Sequence, residues 1–411
     1  MPEFLKVITT DEFVERLGRF ARLPSECVPL DAALYRTVAE DVLALEDLPV
    51  SARSAVDGYA VRAEDTFGAS DSFPALLEVV AEIGMGILPD GAVGPGQAAQ
   101  IPTGGFLPLG ADAVVMVEYT NRAGESSIEV TRPVTSGVNV QEAGEDVKSG
   151  AIVVPRGRQV RSQEIGLLAA LGFTEVRVYR RPRVAVISTG DEVVPIESTP
   201  KPGQIRDANA HTVSALVRAA GAEPIAFPIV PDDAGRLREV LQHGIVQADV
   251  TVLSGGSSVG TRDLMVETVT SLRGVELLAH GVAIRPGKPT LLARQGDKAV
   301  LGLPGHPVSA LIVAQVFLDP FLGYLQGGSL RRGPMGQRVK ARLSTSVHST
   351  IGLEEFIRIR LDEGSDGTYC AQPVFGKSGM LSTMVKADGV LAVPMNLEGF
   401  ARGDIVDVIR F

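Results

Sequence analysis

The chain has 411 residues and a formal charge of −10, from 39 basic and 49 acidic side chains. Its 45% hydrophobic and 21% charged content is that of a globular protein able to bury a sizeable core, and at roughly 100–200 residues per domain the length predicts two to four domains. The acidic balance, with no basic stripe, argues against nucleic acid as the main partner, and any bound anion would need a locally positive site.

The two cysteines, Cys27 and Cys370, match no zinc spacing and read as buried or half-buried free thiols of a reducing compartment. The opening MPEFLKVITTDEF has no basic region followed by an apolar run. The longest apolar run, Val308 to Leu318, falls short of the ~20 residues that span a bilayer. These features predict a cytoplasmic protein with no membrane partner.

In chain order, Phe13, Leu17 and Phe20 have helical spacing behind Thr10-Asp11-Glu12, with Thr10 as the expected cap. A second helical stretch is expected from about Asp31 to Glu40. Residues 47–150 carry short β-like runs between Gly and Pro turns, at Leu76–Ile83, Ala113–Glu118 and Ser127–Thr131, and read as a β-rich insertion. Ser162 to Leu171 is again helical, and Arg180-Arg181-Pro182-Arg183 reads as a linker.

A strand and helix alternation follows. Val184–Ile187, Glu223–Val230, Asp249–Leu253, Val275–Leu278 and Ala299–Leu303 are expected strands. Ala210–Ala219, Asp233–His243 and about Pro307 to Leu325 are expected helices. The alternation predicts a parallel sheet covered on both faces. A second linker spans Gly327–Pro334, and the alternating FIRIRL at Phe356–Leu361 predicts a small C-terminal β-barrel or sandwich. The fold class is thus multidomain α/β.

Four loops are expected near the carboxyl ends of the central strands, where open α/β sheets bind ligands. STGDEV brings Ser188, Thr189 and Gly190 to an anion and Asp191 and Glu192 to a hard cation such as Mg2+. SGGSSVGTRD offers Ser254, Gly255, Gly256, Ser257 and Gly260 as a phosphate-sized nest of donors, with Asp263 beside it. IRPGKP supplies Arg285 and Lys288 as the positive charge that the acidic chain otherwise lacks, stiffened by two prolines. LPGHPVSA places Pro304, Gly305, His306 and Ser309 at the start of a helix whose first turn suits Pro307.

Two acidic turns lie outside this region: Asp57 in SARSAVDGYAV and Asp146 in GEDVKSG. Either is compatible with an ordinary Asx or Gly turn.

Taken in order, these motifs resemble the molybdopterin molybdenumtransferase family (MoeA and the E-domain of gephyrin). SARSAVDGYAV, IPTGGFLPLGADAVVMVEY, GEDV, STGDE, SGGSSVG with its following Asp, PGKP, LPGHPVSA and GKSGMLSTMVKADGVLAVP fall in family order over nearly the whole chain. The resemblance implies four domains. These are a split helical domain (1–46 plus 151–179), an inserted β-rich domain (47–150), a central MogA-like three-layer α/β domain (180–327) and a C-terminal β-barrel (328–411).

It further implies a homodimer with its active site in a cleft between subunits. The implied reaction takes adenylylated molybdopterin and molybdate (or tungstate), with Mg2+, and releases AMP as metal enters the dithiolene. Asp57, Asp146, Glu192, Asp263 and Lys288 would be catalytic. Glu192, Asp232 and Asp263 would hold Mg2+. Thr103, Arg358, Ser378 and Ser382 would join the four loops in binding substrate.

The sequence departs from the family at three places. Arg285 stands for an expected lysine, His306 for a frequent Asn, and Gln141-Glu142 for residues usually basic. A molybdopterin adenylyltransferase, as alternative activity or as partner, and a non-catalytic dimeric scaffold are the competing readings.

Overall fold

The structure is a computed structural model. It describes residues 7–255, 259–331, 333–334, 336–364 and 367–411, without the side chains of 259–263. Two compact units emerge: the first comprises 1–26, 35–39 and 177–411, the second 27–34 and 40–176.

The first unit is built on a six-stranded sheet of β1 (Arg183–Thr189), β2 (Glu223–Ala226), β3 (Val250–Gly255), β4 (Val275–His280), β5 (Leu291–Gln295) and β6 (Lys298–Pro304), in the order β2-β1-β3-β6-β5-β4. Its helices are α1 (Thr10–Leu17), α2 (Ala208–Ala219), α3 (Ala234–Gln247), α4 (Val259–Ser271) and the long helical run α5 (Pro307–Leu325). Successive side chains of a strand point to opposite faces. Val184 and Val186 of β1 accordingly enter one core with Val213 of α2 and Phe317 of α5, while Ile187 enters another with Leu237 and Leu241 of α3. Both sheet faces are covered, which gives the three layers read from the sequence.

The sheet is mixed rather than fully parallel. β2, β1, β3 and β6 run parallel, whereas β5 is antiparallel to both β6 and β4. The overlooked strand is β5. Gln295 pairs with Lys298, so Gly296-Asp297 forms a two-residue hairpin loop with Gly296 at φ 59°, a short-range signal visible in the sequence.

At the N-terminus, Thr9 rather than Thr10 caps α1, in a reciprocal capping box with Glu12. Thr10 is instead buried, and its hydroxyl donates to Glu354 at 2.5 Å. Phe13 packs against Phe317 with tilted rings whose centroids are 4.3 Å apart, so α1 packs onto α5. The stretch Asp31–Glu40 is not a helix. It holds a single 3-10 turn, Leu30–Ala33, after which Tyr35 takes φ 62°, and Val38 bridges Val178.

α5 is long and apolar enough by length and composition to cross a membrane, a wider apolar stretch than Val308–Leu318 suggests, yet 72% of that window is buried inside the protein. It is a core helix, interrupted by a π turn at Ala314–Leu318. The expected linker at Arg180–Arg183 is firmly held: Arg180 makes two hydrogen bonds to Asp249, and the Arg183 amide donates to the same carboxylate.

The same unit carries the C-terminal barrel. β7 (Arg338–Leu343), β8 (Glu354–Glu363), β9 (Tyr369–Pro373), β10 (Gly389–Val393) and β11 (Ile405–Arg410) close in the cycle β8-β9-β7-β11-β10. The short strand Ile284–Arg285 pairs with the start of β8.

The second unit is β-rich, as expected. Its six-stranded sheet contains Gly58–Val61, Ala75–Glu82, Gln97–Ile101, Ala113–Met116, Thr120–Arg122 and Ser127–Val130. Helix Ser162–Ala170 belongs to it. Cys27, expected to be sheltered, is exposed; Cys370 is half-buried, and neither forms a disulfide among the described residues.

Candidate active site at the carboxyl edge of the central sheet

Register alone assembles the centre of the site. Thr189 pairs with Gly255 and Gly255 with Pro304, so β1, β3 and β6 end side by side. Their three following loops, STGDEV, SGGSSVGTRD and LPGHPVSA, therefore leave from one edge. Because β5 is antiparallel, its beginning lies beside the end of β6, with Leu291 opposite Gly302. IRPGKP, which leads into β5, thus reaches the same edge.

Close packing explains two of the glycines. A Cβ on Gly255 would sit 1.8 Å from the Thr189 hydroxyl, and one on Gly287 would lie 2.3 Å from Val313 of α5. Gly287 also has φ 122°, and its carbonyl accepts from Thr290 at 2.6 Å. The PGKP loop is thereby seated against α5.

A cavity of 460 Å3 opens at this edge. Ser188, Thr189, Ser254 and Gly255 line it from the strand ends, Glu192 from the first loop, and Gly305 and His306 from the start of α5. Ser188 and Ser254 are buried, with their hydroxyls 3.3 Å apart. The barrel contributes Gly379 and Leu381, and the neighbouring Ser378 carbonyl accepts the Val308 amide at 3.1 Å. Arg358 of β8 holds that barrel loop in shape: it donates to the Thr383 hydroxyl and the Gly376 carbonyl, both at 2.7 Å. Partial burial lowers the pKa of Arg358. Ser382 begins the short helix Ser382–Val385, and Ser309 is buried within α5.

Asp191 and Asp232 are in contact beside the cavity, and Glu192 lies within electrostatic reach of Asp232. The Asp232 amide donates to Asp191 Oδ1 at 3.1 Å, tying together the loops after β1 and β2. The pKa of Asp232 is raised, first by burial and then by the charges of Asp191 and Glu192. This is a hard-oxygen donor set whose own repulsion a cation would relieve. Among the described residues no three His, Cys, Asp or Glu side chains stand close enough together to hold a metal by themselves. Of the expected Glu192–Asp232–Asp263 set, the Asp263 side chain lies outside the described residues. Mg2+ is commonly held by one or two carboxylates plus substrate phosphates and water, and Glu192 with Asp232 fits that incomplete kind of site.

Gly256 and Ser257 lie outside the described residues, as does the side chain of Asp263. The backbones of Gly260 and Asp263 fall in the first turns of α4. Lys288 stands on the loop into β5, with its carbonyl accepting the Val282 amide at 2.9 Å. Arg285 lies 3.5 Å from Glu355 of β8, an ion pair that shares its charge with the barrel.

In the second unit, Asp57 accepts from the Thr103 amide at 2.7 Å and from the Thr103 hydroxyl at 2.9 Å. These donors, the amide first, hold its pKa below the ordinary value. Asp146 is exposed in a turn where the Glu142 amide donates to Glu145 at 2.9 Å. Gln141 accepts from Arg53 at 2.9 Å.

Sequence reading passed over IRDAN, residues 205–209. Arg206, Asp207, Ala208 and Asn209 all line the cavity. Asp207 caps α2 by accepting the Ala210 amide at 3.0 Å, and Asn209 donates to the Gly305 carbonyl at 2.9 Å. Arg206 ties back the carbonyls of Ile196 and Ser198. An Asp directly ahead of a helical pattern was the available signal.

Comparison with known proteins agrees with this architecture. Family models match in three consecutive pieces: the MoeA N-terminal region (domain I and II) at residues 8–172, a probable molybdopterin binding domain at 185–324, and the MoeA C-terminal region (domain IV) at 340–411. A molybdopterin molybdenumtransferase of a Nostoc species is 37% identical over 94% of this chain and 88% of its own. A putative molybdopterin biosynthesis protein of Methanocaldococcus jannaschii is 34% identical over 93% and 91%. A crystal structure of the molybdopterin biosynthesis MoeA protein from Pyrococcus horikoshii superposes with a TM-score of 0.84 at 35% identity, covering 98% of this chain and 99% of that one. The chain belongs to the molybdopterin molybdenumtransferase family of molybdenum cofactor biosynthesis enzymes.

Proposed function

We propose that the protein takes adenylylated molybdopterin and molybdate, cleaves the phosphoanhydride with release of AMP, and delivers molybdenum to the dithiolene. The observation that carries this reading is the cavity in which the hydroxyl- and amide-lined ends of β1, β3 and β6 stand beside the charged cluster Asp191, Glu192 and Asp232. Hydroxyls and amides suit a phosphate, and acids that repel one another suit the cation that accompanies it.

In this reading Ser188, Thr189, Ser254, Gly255, Gly305 and His306 receive the anionic part of the substrate. Lys288 supplies positive charge, and Arg285 does so in part, because Glu355 already faces it. Glu192 and Asp232 would hold Mg2+, with Asp263 as the third acid of the assignment. When bound, Mg2+ neutralises charge on the phosphoanhydride oxygens. Asp57 and Asp146 are proposed as acids required for turnover, and Arg358, Ser378 and Ser382 as supports of the barrel side of the cavity. A cytoplasmic homodimer is the proposed working form.

The test is direct. Purified protein with adenylylated molybdopterin, Mg2+ and molybdate should release AMP. Silence beside an active control insertase would overturn the proposal, and ATP-dependent adenylylation of molybdopterin would replace it with the adenylyltransferase reading.

A further inference from the structure

The entrance to α5 contains a bond that neither the loop motifs nor the proposed reaction explains. Asn209, in the first turn of α2, donates from Nδ2 to the Gly305 carbonyl at 2.9 Å. Both residues line the 460 Å3 cavity. The carbonyl of Gly305 and the amide of His306 share one trans peptide plane and point in opposite directions. Fixing one therefore fixes the other.

That amide has particular value here. Pro307 has no N–H, and the Val308 amide already donates to the Ser378 carbonyl. Of the three residues entering α5, His306 keeps an amide that has no acceptor among the described residues. His306 occupies the N-cap position with no side-chain cap bond. A carbonyl freed from Asn209 could turn its partial negative charge toward the phosphate site.

The support under Asn209 is firm. Asp207 caps α2 by accepting the Ala210 amide at 3.0 Å, which fixes the first turn that carries Asn209. We infer that Asn209 is a positioning residue, which orients the Gly305–His306 peptide so that the His306 amide serves the anionic group of the substrate. This rests on the anion-binding reading of the cavity and adds to it a residue outside the four glycine-rich loops.

The test compares three variants by steady-state AMP release and by calorimetric binding of AMP. Asn209→Leu, close in size but without a donor, should raise KM for adenylylated molybdopterin about tenfold and weaken AMP binding similarly. Its kcat should stay within about twofold, because the lost interaction serves bound substrate and transition state alike. Asn209→Asp, isosteric but anionic, should raise KM at least as much, and it carries the comparison if the Leu variant does not fold. Thr212→Val removes a hydroxyl from the same helix without touching Asn209 or Gly305 and should leave KM unchanged. An unchanged KM in the Asn209 variants, or an equal rise in Thr212→Val, overturns the inference. A wild-type protein that releases no AMP instead overturns the proposed function, so the two failures are separable.

Discussion

The β-rich unit and the central sheet treat their acids in opposite ways. Asp57 has two donors from Thr103 and is held below the ordinary carboxylate range. Asp232 has burial and two acidic neighbours and is pushed above it. The residue type is the same, and what faces it differs. A carboxylate with amide and hydroxyl donors has its charge satisfied by the protein. One that faces Asp191 and Glu192 gains when a cation arrives. The comparison separates an acid whose charge the protein satisfies from one whose charge burial and acidic neighbours disfavour, the kind of acid that the proposed Mg2+ would relieve.

The largest effect should come from the unsatisfied side. Asp232→Asn is expected to lower AMP release at least about 100-fold at limiting Mg2+, since even outer-shell partners of metal ligands can cost 10–100-fold. The pH dependence has a definite sign. A raised pKa means that Asp232 takes up its proton at a higher pH than an ordinary Asp, so apparent Mg2+ affinity should fall early as pH drops. The Asn variant should lose that early fall. An identical Mg2+ titration in both proteins would break the comparison.

On the satisfied side, Asp57→Asn should reduce turnover on the order of tenfold, the scale of a charge-assisted hydrogen bond. The side chain is exposed, so the melting temperature should hardly move. Thr103→Val keeps the amide donor and removes the hydroxyl, and should cost less than Asp57→Asn. A variant that loses stability in proportion to activity would make Asp57 a structural turn residue.

Glu164 shows how strongly the protein can hold an acid for stability alone. It is 8% exposed and accepts from Arg161 and Arg158, with its pKa lowered to about 2, chiefly by Arg161. Glu164→Gln should destabilise the β-rich unit by about 2 kcal/mol near neutral pH. Because the folded-state pKa is depressed, this stabilisation is complete above the ordinary value of 4.5 and is lost as pH falls toward 2. Wild type and variant should therefore converge in acid. Denaturant unfolding at pH 7 and pH 2.5 measures the full stabilisation and most of its loss.

Much of this was legible beforehand. Apolar β-branched runs marked β1 and β3, and strand ends followed by Gly-rich loops marked the cavity edge. Leu291–Gln295 escaped although its Gly296-Asp297 turn into β6 is a short-range signal. What else escaped depended on longer-range geometry. Asp31–Glu40 has helical spacing, but backbone pairing between Val38 and Val178 prevailed over local propensity. The Asn209–Gly305 bond joins residues 96 apart, and nothing local in IRDAN points to LPGHP. Arg285 read as a free cation because Glu355, seventy positions away, becomes its neighbour only when the barrel closes.

The smallest expected effect isolates burial from charge repulsion. Asp319, at the end of the π turn in α5, has its pKa raised to about 6 by burial alone, with no acidic neighbour contributing. Asp232 combines both causes, so Asp319 shows how far the first one reaches. The folded state disfavours the ionised form of Asp319, so stability should fall as pH rises from about 4 to 6 and stay level above. Asp319→Asn removes the charge and should gain about 1 kcal/mol at pH 8, discounted for residual solvent access. The gain should vanish below pH 4, where both proteins are neutral at this position. A gain that persists in acid would reflect packing or a new amide hydrogen bond, and burial would then no longer account for the raised pKa of Asp319.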